Sequence, residues 1–328
     1  MKKTILISLL ATLLCSATYG ATMQRTILSH NGQLTTYDAN HWTEAINDAV
    51  AGDTVYFTPG LFYYNYITFD KPISLIGAGT SEVDAFYEQN GWTSVYSGCG
   101  TTEGSTVLIG ENGLHIAAPV SMESLFLRAE NNDGNQIRIT ITENVSNLRI
   151  KRCQLYTRFS VAEGKTLNNF LLESCMVTNL NCARMVSPTI QNCFISEINA
   201  NSNEGITITN CMFGGLNNAN GWHIINSAFW QYADGSNTFV NCLFINGRER
   251  ATSTYTDCYM IEGAPQVLTK AELLSNSYLG NDGTVVGPLG GPAPFTLIPS
   301  QPYVSSSSVT YNKTTKKLNV NVTVKKGQ

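Results

Sequence analysis

The stretch that decides the fold runs Leu172-Glu173-Ser174-Cys175-Met176-Val177, then Ile190-Gln191-Asn192-Cys193-Phe194-Ile195, then Ile208-Thr209-Asn210-Cys211-Met212-Phe213. Each piece is an apolar residue, any residue, a small polar residue, Cys, any residue, an apolar residue. The pattern also occurs at Ile150-Lys151-Arg152-Cys153-Gln154-Leu155, where Arg takes the small polar place. It returns at Phe239-Val240-Asn241-Cys242-Leu243-Phe244 and Tyr255-Thr256-Asp257-Cys258-Tyr259-Met260, and at Ile224-Ile225-Asn226-Ser227-Ala228-Phe229 with Ser for Cys. The steps 153→175→193→211→227→242→258 are 22, 18, 18, 16, 15 and 16 residues. Helix-pair repeats and propeller blades need about 33 residues or more. A shorter period with two or three short strands per repeat matches one coil of a parallel β-helix. Coils stack with a rise of about 4.8 Å, so the Cys positions form an inward ladder of small apolar residues. The Asn, Ser or Asp before each Cys marks a tight bend, since Asn tolerates left-handed backbone.

Outward from this core, Thr54–Phe57, Ile67–Phe69, Ile73–Ile76, Thr106–Ile109, Leu125–Leu127 and Ile137–Ile141 have the composition of short strands. Trp42 to Val50 places Ala45, Ile46, Ala49 and Val50 on one side of a short amphipathic helix stopped by Gly52. Such a helix would cover the backbone edge of the first coil. Gly283 to Pro302, rich in Gly and Pro, is expected to be an extended cover or linker. Beyond it, Ser306–Tyr311 and Leu318–Val324 flank a turn, and Leu318, Val320, Val322 and Val324 alternate with polar residues.

Composition agrees with an ordered β-protein. Only 13% of the 328 residues are charged while 43% are hydrophobic. A long coiled coil needs more charge and more helix formers. Aromatics at 10% and a net charge of −4 exclude general disorder. A pI of 5.6 argues against a nucleic-acid partner. At the N-terminus, Lys2 and Lys3 precede an apolar run, Thr4 to Cys15, and Thr18-Tyr19-Gly20 has the small-residue pattern expected of a cleavage site before Ala21. The run is too short to span a bilayer, so a secreted or cell-surface location is expected, with no transmembrane segment. The expected organisation is a signal peptide over 1–20, a cap with the short helix over 21–52, the parallel β-helix over 53–285, and a linker with a strand pair over 286–328. Of the nine Cys, eight remain after cleavage (Cys99, Cys153, Cys175, Cys182, Cys193, Cys211, Cys242, Cys258), an even set that in an exported chain would ordinarily signal disulfides. Stacked side chains that point the same way argue instead for a buried, mostly reduced ladder.

Trp42-Thr43-Glu44-Ala45-Ile46-Asn47-Asp48-Ala49-Val50-Ala51-Gly52-Asp53-Thr54-Val55-Tyr56-Phe57-Thr58-Pro59-Gly60 resembles the opening of secreted right-handed parallel β-helix proteins of the pectin-lyase-like superfamily. Lys71-Pro72-Ile73-Ser74-Leu75-Ile76-Gly77-Ala78-Gly79 is similar to the second coil of many members. Asn281-Asp282-Gly283-Thr284, with Gly290-Gly291-Pro292 beyond, is similar to the closing segment of bacterial surface-associated members. The resemblance covers roughly residues 40 to 300 and implies an all-β right-handed solenoid in an exported protein. It implies no single activity, because the superfamily mixes lyases, hydrolases and adhesins.

The residues favour a non-catalytic reading. Polygalacturonase-like members carry Asn-Thr-Asp, an Asp-Asp pair, Gly-His-Gly and Arg-Ile-Lys, and the chemistry requires paired carboxylates. Only Arg149-Ile150-Lys151 is present, and it is expected to be an ordinary strand with exposed basic residues. Pectate-lyase-like chemistry requires clustered Asp ligands for Ca²⁺ and an Arg or Lys base. The nearest cluster, Glu130-Asn131-Asn132-Asp133-Gly134-Asn135, lacks a full ligand pattern and suits a solvated turn. Arg152, Arg158 and Arg184 are candidate bases, expected to be solvated charges with no acid partner. His30, His41, His115 and His223 stand apart, without zinc-like spacing. No cofactor is expected, and Ca²⁺ enters only with the lyase alternative.

One segment points to binding. Ser81 to Gly104 interrupts the coil pattern and carries Phe86, Tyr87, Trp92 and Tyr96. Connections are usually about 2 to 6 residues, and long loops on rigid scaffolds often carry function. Aromatic faces suit sugar rings, so these four residues are the candidate substrate-binding set. Packing of the loop onto the β-helix is the competing reading. Trp222, Trp230 and Tyr232 form a second aromatic group that fits the core equally well. The expected function is contact with polysaccharide or another surface partner, and the alternative is a polysaccharide lyase or glycoside hydrolase acting on an acidic polysaccharide.

Overall fold

A computed structural model describes residues 24–79, 105–129, 138–200, 205–245, 252–261, 274–275, 277–300, 303–312 and 316–325. The signal peptide expected at 1–20, the candidate binding residues Phe86, Tyr87, Trp92 and Tyr96, Cys99 and the 130–135 cluster lie outside the described residues. So do the side chains of Trp230 and Tyr232.

Three strand columns build an all-β solenoid. The first sheet has 12 strands and the second 11, and a third column holds Val145–Ser146, Leu167–Asn168 and Met185–Val186. Pairing along each column is parallel from coil to coil. In the first sheet Leu172 is level with Ile190, Ile190 with Ile208 and Ile208 with Ile224. In the second sheet Val177 is level with Ile195, and Ile195 with Phe213. These residues are all at most 1% exposed, so the inward stacks form one continuous core. Each buried aliphatic side chain contributes about 1.5–3 kcal/mol relative to exposure. Towards the far end the stack turns aromatic: Phe229 lies on Phe244 at 4.9 Å and Phe239 on Tyr255 at 5.1 Å, both nearly parallel.

The bends follow from the residue before each Cys. Arg152, Ser174, Asn192, Asn210, Asn226, Asn241 and Asp257 all have φ between 50 and 52°. Left-handed backbone is cheapest for Gly, Asn and Asp, which explains why Asn or Asp holds five of these seven places. The bend residue keeps its ladder bond to the next coil, as in Asn192 N–H to the Thr209 carbonyl at 3.2 Å. The Cys after it points inward. The seven described cysteines carry free thiols, and six of them are buried. Burial pushes the thiols of Cys153, Cys175, Cys193 and Cys242 well above their ordinary range.

The start of the solenoid differs from the sequence reading. A hairpin, Arg25–His30 with Gln33–Asp38, comes first, and its first strand pairs antiparallel with Thr54–Phe57. The hairpin therefore covers the edge of the first sheet, a place the sequence reading gave to the helix. The helix, α1, spans Trp42–Asp48 and buries Trp42, Ala45 and Ile46. It stops before Val50 because Ala49 is already extended (ψ 145°) and the Val50 N–H donates to Asp53 Oδ2 at 2.8 Å. The Trp42 indole N–H donates to the Tyr63 carbonyl at 2.7 Å and anchors α1 to the first coil.

At the other end the chain doubles back. Tyr278 packs on Tyr259 of the last coil, and Asn281 exchanges hydrogen bonds with the Asn226 side chain. Pro288 and Gly290 carbonyls then accept from Asn192 Nδ2, and the Ser300 N–H reaches Glu123 Oε1 at 3.1 Å. This strap buries Val285, Val286, Phe295 and Leu297 on Met176, Phe194, Met212, Ala228 and Leu243 of the second sheet. An antiparallel hairpin, Tyr303–Asn312 with Lys317–Lys325, follows it.

Candidate functional site: the outer face of the second sheet

Strand alternation sends every second residue of the second sheet outward. The strap covers one outward row. The rows beside it hold the exposed Tyr63, Tyr66 and Tyr156, with Ile109 buried between Tyr63 and Arg128, and register shows their order. One row has Tyr63 level with Ile109, Ile109 with Arg128, and Arg128 with Tyr156. The next has Tyr66 level with Gly113, then Arg138 with Arg158, Arg158 with Asn179, and Asn179 with Glu197. A third has Thr68 level with His115, His115 with Thr140 and Thr140 with Ser160, and further on Asn181 with Asn199 and Asn199 with Asn217.

An irregular step between Gly60–Phe69 and Thr106–Ile116, where Glu111 and Asn112 lie opposite the single residue Asn65, aims the first coil's aromatics. Register shifts between Tyr64 and Tyr66, so Asn65 and Tyr66 both face outward in succession. Tyr64 turns inward and is 6% exposed, while Tyr63 and Tyr66 are each 54% exposed. They border an open groove of about 570 Å³ lined also by Asn65, Thr68, Asp70 and Lys71. Lys71 Nζ donates to the Ile46 and Asn47 carbonyls at 3.3 and 2.6 Å, so it is held at the end of α1. Asn65 and Asn112 bond to each other across the strands. Tyr66 Oη lies 2.6 Å from His115 Nδ1, with the rings edge-on at 4.7 Å, and burial lowers the pKa of His115.

Further along, Glu197 accepts from Asn179 Nδ2 and Asn217 Nδ2, both at 2.9 Å. This carboxylate ties three consecutive coils together. It is the one carboxylate on strands Arg138–Ile141, Gln154–Val161, Met176–Asn181, Phe194–Asn199 and Met212–Asn217.

The sequence-level candidates fall in different places. Arg149-Ile150-Lys151 is a strand of the first sheet, with Ile150 buried and Lys151 bonded to Glu173 at 2.9 Å. Arg152 is not a free solvated charge as expected: its side chain is 17% exposed and its guanidinium contacts Glu123 at 3.2 Å. The left-handed bend directs it back along the first sheet, where Glu123 stands one coil earlier. Arg184 sits at a bend of its own, φ 66°, exposed. Trp222 is fully buried, which makes it core. Among the described residues no three His, Cys, Asp or Glu side chains stand close enough to hold a metal ion, and no helix is long and apolar enough to cross a membrane. Tyr63, Tyr66, Tyr156, Arg128, Arg138 and Glu197 went unnoticed in sequence. For Tyr63 the available signal was the alternation Phe62-Tyr63-Tyr64, which places aromatics on both faces of one strand, whereas the same alternation would turn Tyr66 inward.

Comparison with known protein families, with curated proteins and with solved structures found no match to this chain.

Proposed function

We propose that this is an exported β-helix protein of the pectin-lyase-like kind that contacts polysaccharide through the outer face of its second sheet, without catalysing a reaction on it. The observation that carries this reading is the exposure of Tyr63, Tyr66 and Tyr156 at 54%, 54% and 52% on one face of a rigid solenoid. An exposed ring on a fixed backbone offers an apolar face for a sugar at little entropic cost, and its hydroxyl remains hydrogen-bonding. The amides of Asn65 and Asn112 and the hydroxyl of Thr68 stand beside Tyr66. The absence of catalysis is part of the proposal: glycoside hydrolysis uses two carboxylates, and Glu197 has amides as its bonded neighbours. The loop at 81–104, with Phe86, Tyr87, Trp92 and Tyr96, is proposed as a second contact. Its return at Ser105 leads directly into Thr106–Ile116 of the same sheet.

The test is glycan-array binding of the Tyr63→Ala/Tyr66→Ala variant alongside its melting curve. Two stacked rings at about 1 kcal/mol each predict a loss of roughly 10- to 30-fold in affinity. Unchanged binding with an unchanged melting temperature removes these tyrosines from the contact.

A further inference from the structure

Three arginines surround Tyr156 on the face just described. Arg128 is level with Tyr156 in one outward row, and Arg138 is level with Arg158 in the next. Tyr156 and Arg158 belong to the same strand, Gln154–Val161. Neighbouring strands are about 4.8 Å apart, so like charges sit side by side. Such charges are normally neutralised by interleaved carboxylates, as elsewhere on this molecule. Glu123 pairs with Arg152, Glu173 with Lys151 and Glu143 with Lys165. Among the described residues, Arg128, Arg138 and Arg158 have no ion pair or hydrogen-bond partner, and the buried Nε of Arg128 has no acceptor. The nearest acid along the row is Glu197, separated from Arg158 by Asn179 and already held by two amides.

We propose that Arg128, Arg138 and Arg158 form a subsite for an anionic sugar, carboxylated or sulfated, whose ring lies against Tyr156. The proposal rests on the polysaccharide reading above and adds the charge of the ligand. A guanidinium presents two parallel N–H donors that match a carboxylate or sulfate, and an anion among three such groups relieves their mutual repulsion. The protein carries net charge −4, so attraction to an acidic polymer is a property of this patch and not of the whole molecule.

Matched glycan pairs test it: polygalacturonate against its fully methyl-esterified form, and dextran sulfate against dextran, by affinity electrophoresis at low and high salt. The expected result is a preference of about tenfold or more for the charged member of at least one pair, weakened by salt. That preference should be abolished in Arg138→Gln/Arg158→Gln at unchanged melting temperature, while residual binding of the neutral member persists. The pair that discriminates identifies carboxylate or sulfate. Equal binding of both members by the wild type overturns the subsite and leaves the polysaccharide reading standing. Binding of neither member of either pair overturns both. A preference that survives in the double variant also overturns it.

Discussion

The backbone N–H of Cys193 donates to the Sγ of Cys211, 3.4 Å away and one coil further along. The relationship repeats from Cys153 to Cys175 and from Cys175 to Cys193, and it ends with Cys211 N–H on the Ser227 hydroxyl at 3.1 Å. Each sulfur also faces the carbonyl two residues before it, as Cys193 Sγ does that of Gln191 at 3.0 Å. At each bend the chain turns out of the β-ladder, and the N–H after it has no carbonyl to reach. The thiol fills that place. The ladder thus needs a small side chain with an acceptor, which explains why Ser can replace Cys.

Cys193→Ser is therefore expected to keep the fold with a small change in stability. Cys193→Val, similar in volume, leaves a buried N–H without an acceptor and should cost about 1–3 kcal/mol. Chemical denaturation of both variants checks this. Native protein should also resist alkylation at these thiols, and denatured, non-reduced protein should yield most of them free. Three or more disulfides would contradict it.

Asn192 serves two structures at once, a bend at φ 51° and the strap through its bonds to the Pro288 and Gly290 carbonyls. Asn192→Gly retains the bend and frees the strap, so proteolysis within 280–300 should accelerate with a modest drop in melting temperature. Asn192→Val should lose both and cost at least about 1–2 kcal/mol more. Limited proteolysis with calorimetry separates the two.

Asp53 ties the opening hairpin to the first coil. Burial alone would raise its pKa, but the Val50 N–H and His30, 2.8 Å away, outweigh that and lower it below the ordinary carboxylate value. The unfolded chain then holds the proton more tightly than the folded one. Stability is fully present above the ordinary pKa of about 3.9 and is lost as pH falls through the lower folded value. Melting temperature should therefore fall on acidification below about pH 4, and Asp53→Asn should flatten that limb while lowering stability at pH 7.

If the 81–104 loop contacts glycan, Trp92→Ala/Tyr96→Ala should weaken binding and leave the melting temperature unchanged. Ile190→Asp, which places an unpaired carboxylate in the core, should unfold the domain and serves as the contrasting control. A large fall in melting temperature in the loop variant would assign its aromatics to packing.

The solenoid was legible in the sequence because its signals are local. Asn192 sets its bend through its own φ, Cys193 fills the corner beside it, and each coil repeats the arrangement within 15 to 22 residues. Periodicity alone therefore implied the stacked coils, the inward Cys column and the buried Ile190 and Ile208. The outer face follows different physics. Tyr66 reaches the surface because a bulge shifts register by one residue, and one residue reverses every side chain of a strand. Arg138 and Arg158 lie 20 residues apart in sequence and become neighbours only when coils of unequal length align them. The hairpin over the first sheet's edge and the strap over Met176 and Phe194 likewise depend on contacts made far along the chain. Backbone conformation and apolar period are written residue by residue, whereas the grouping of charge and aromatic surface exists only once register across the coils is set.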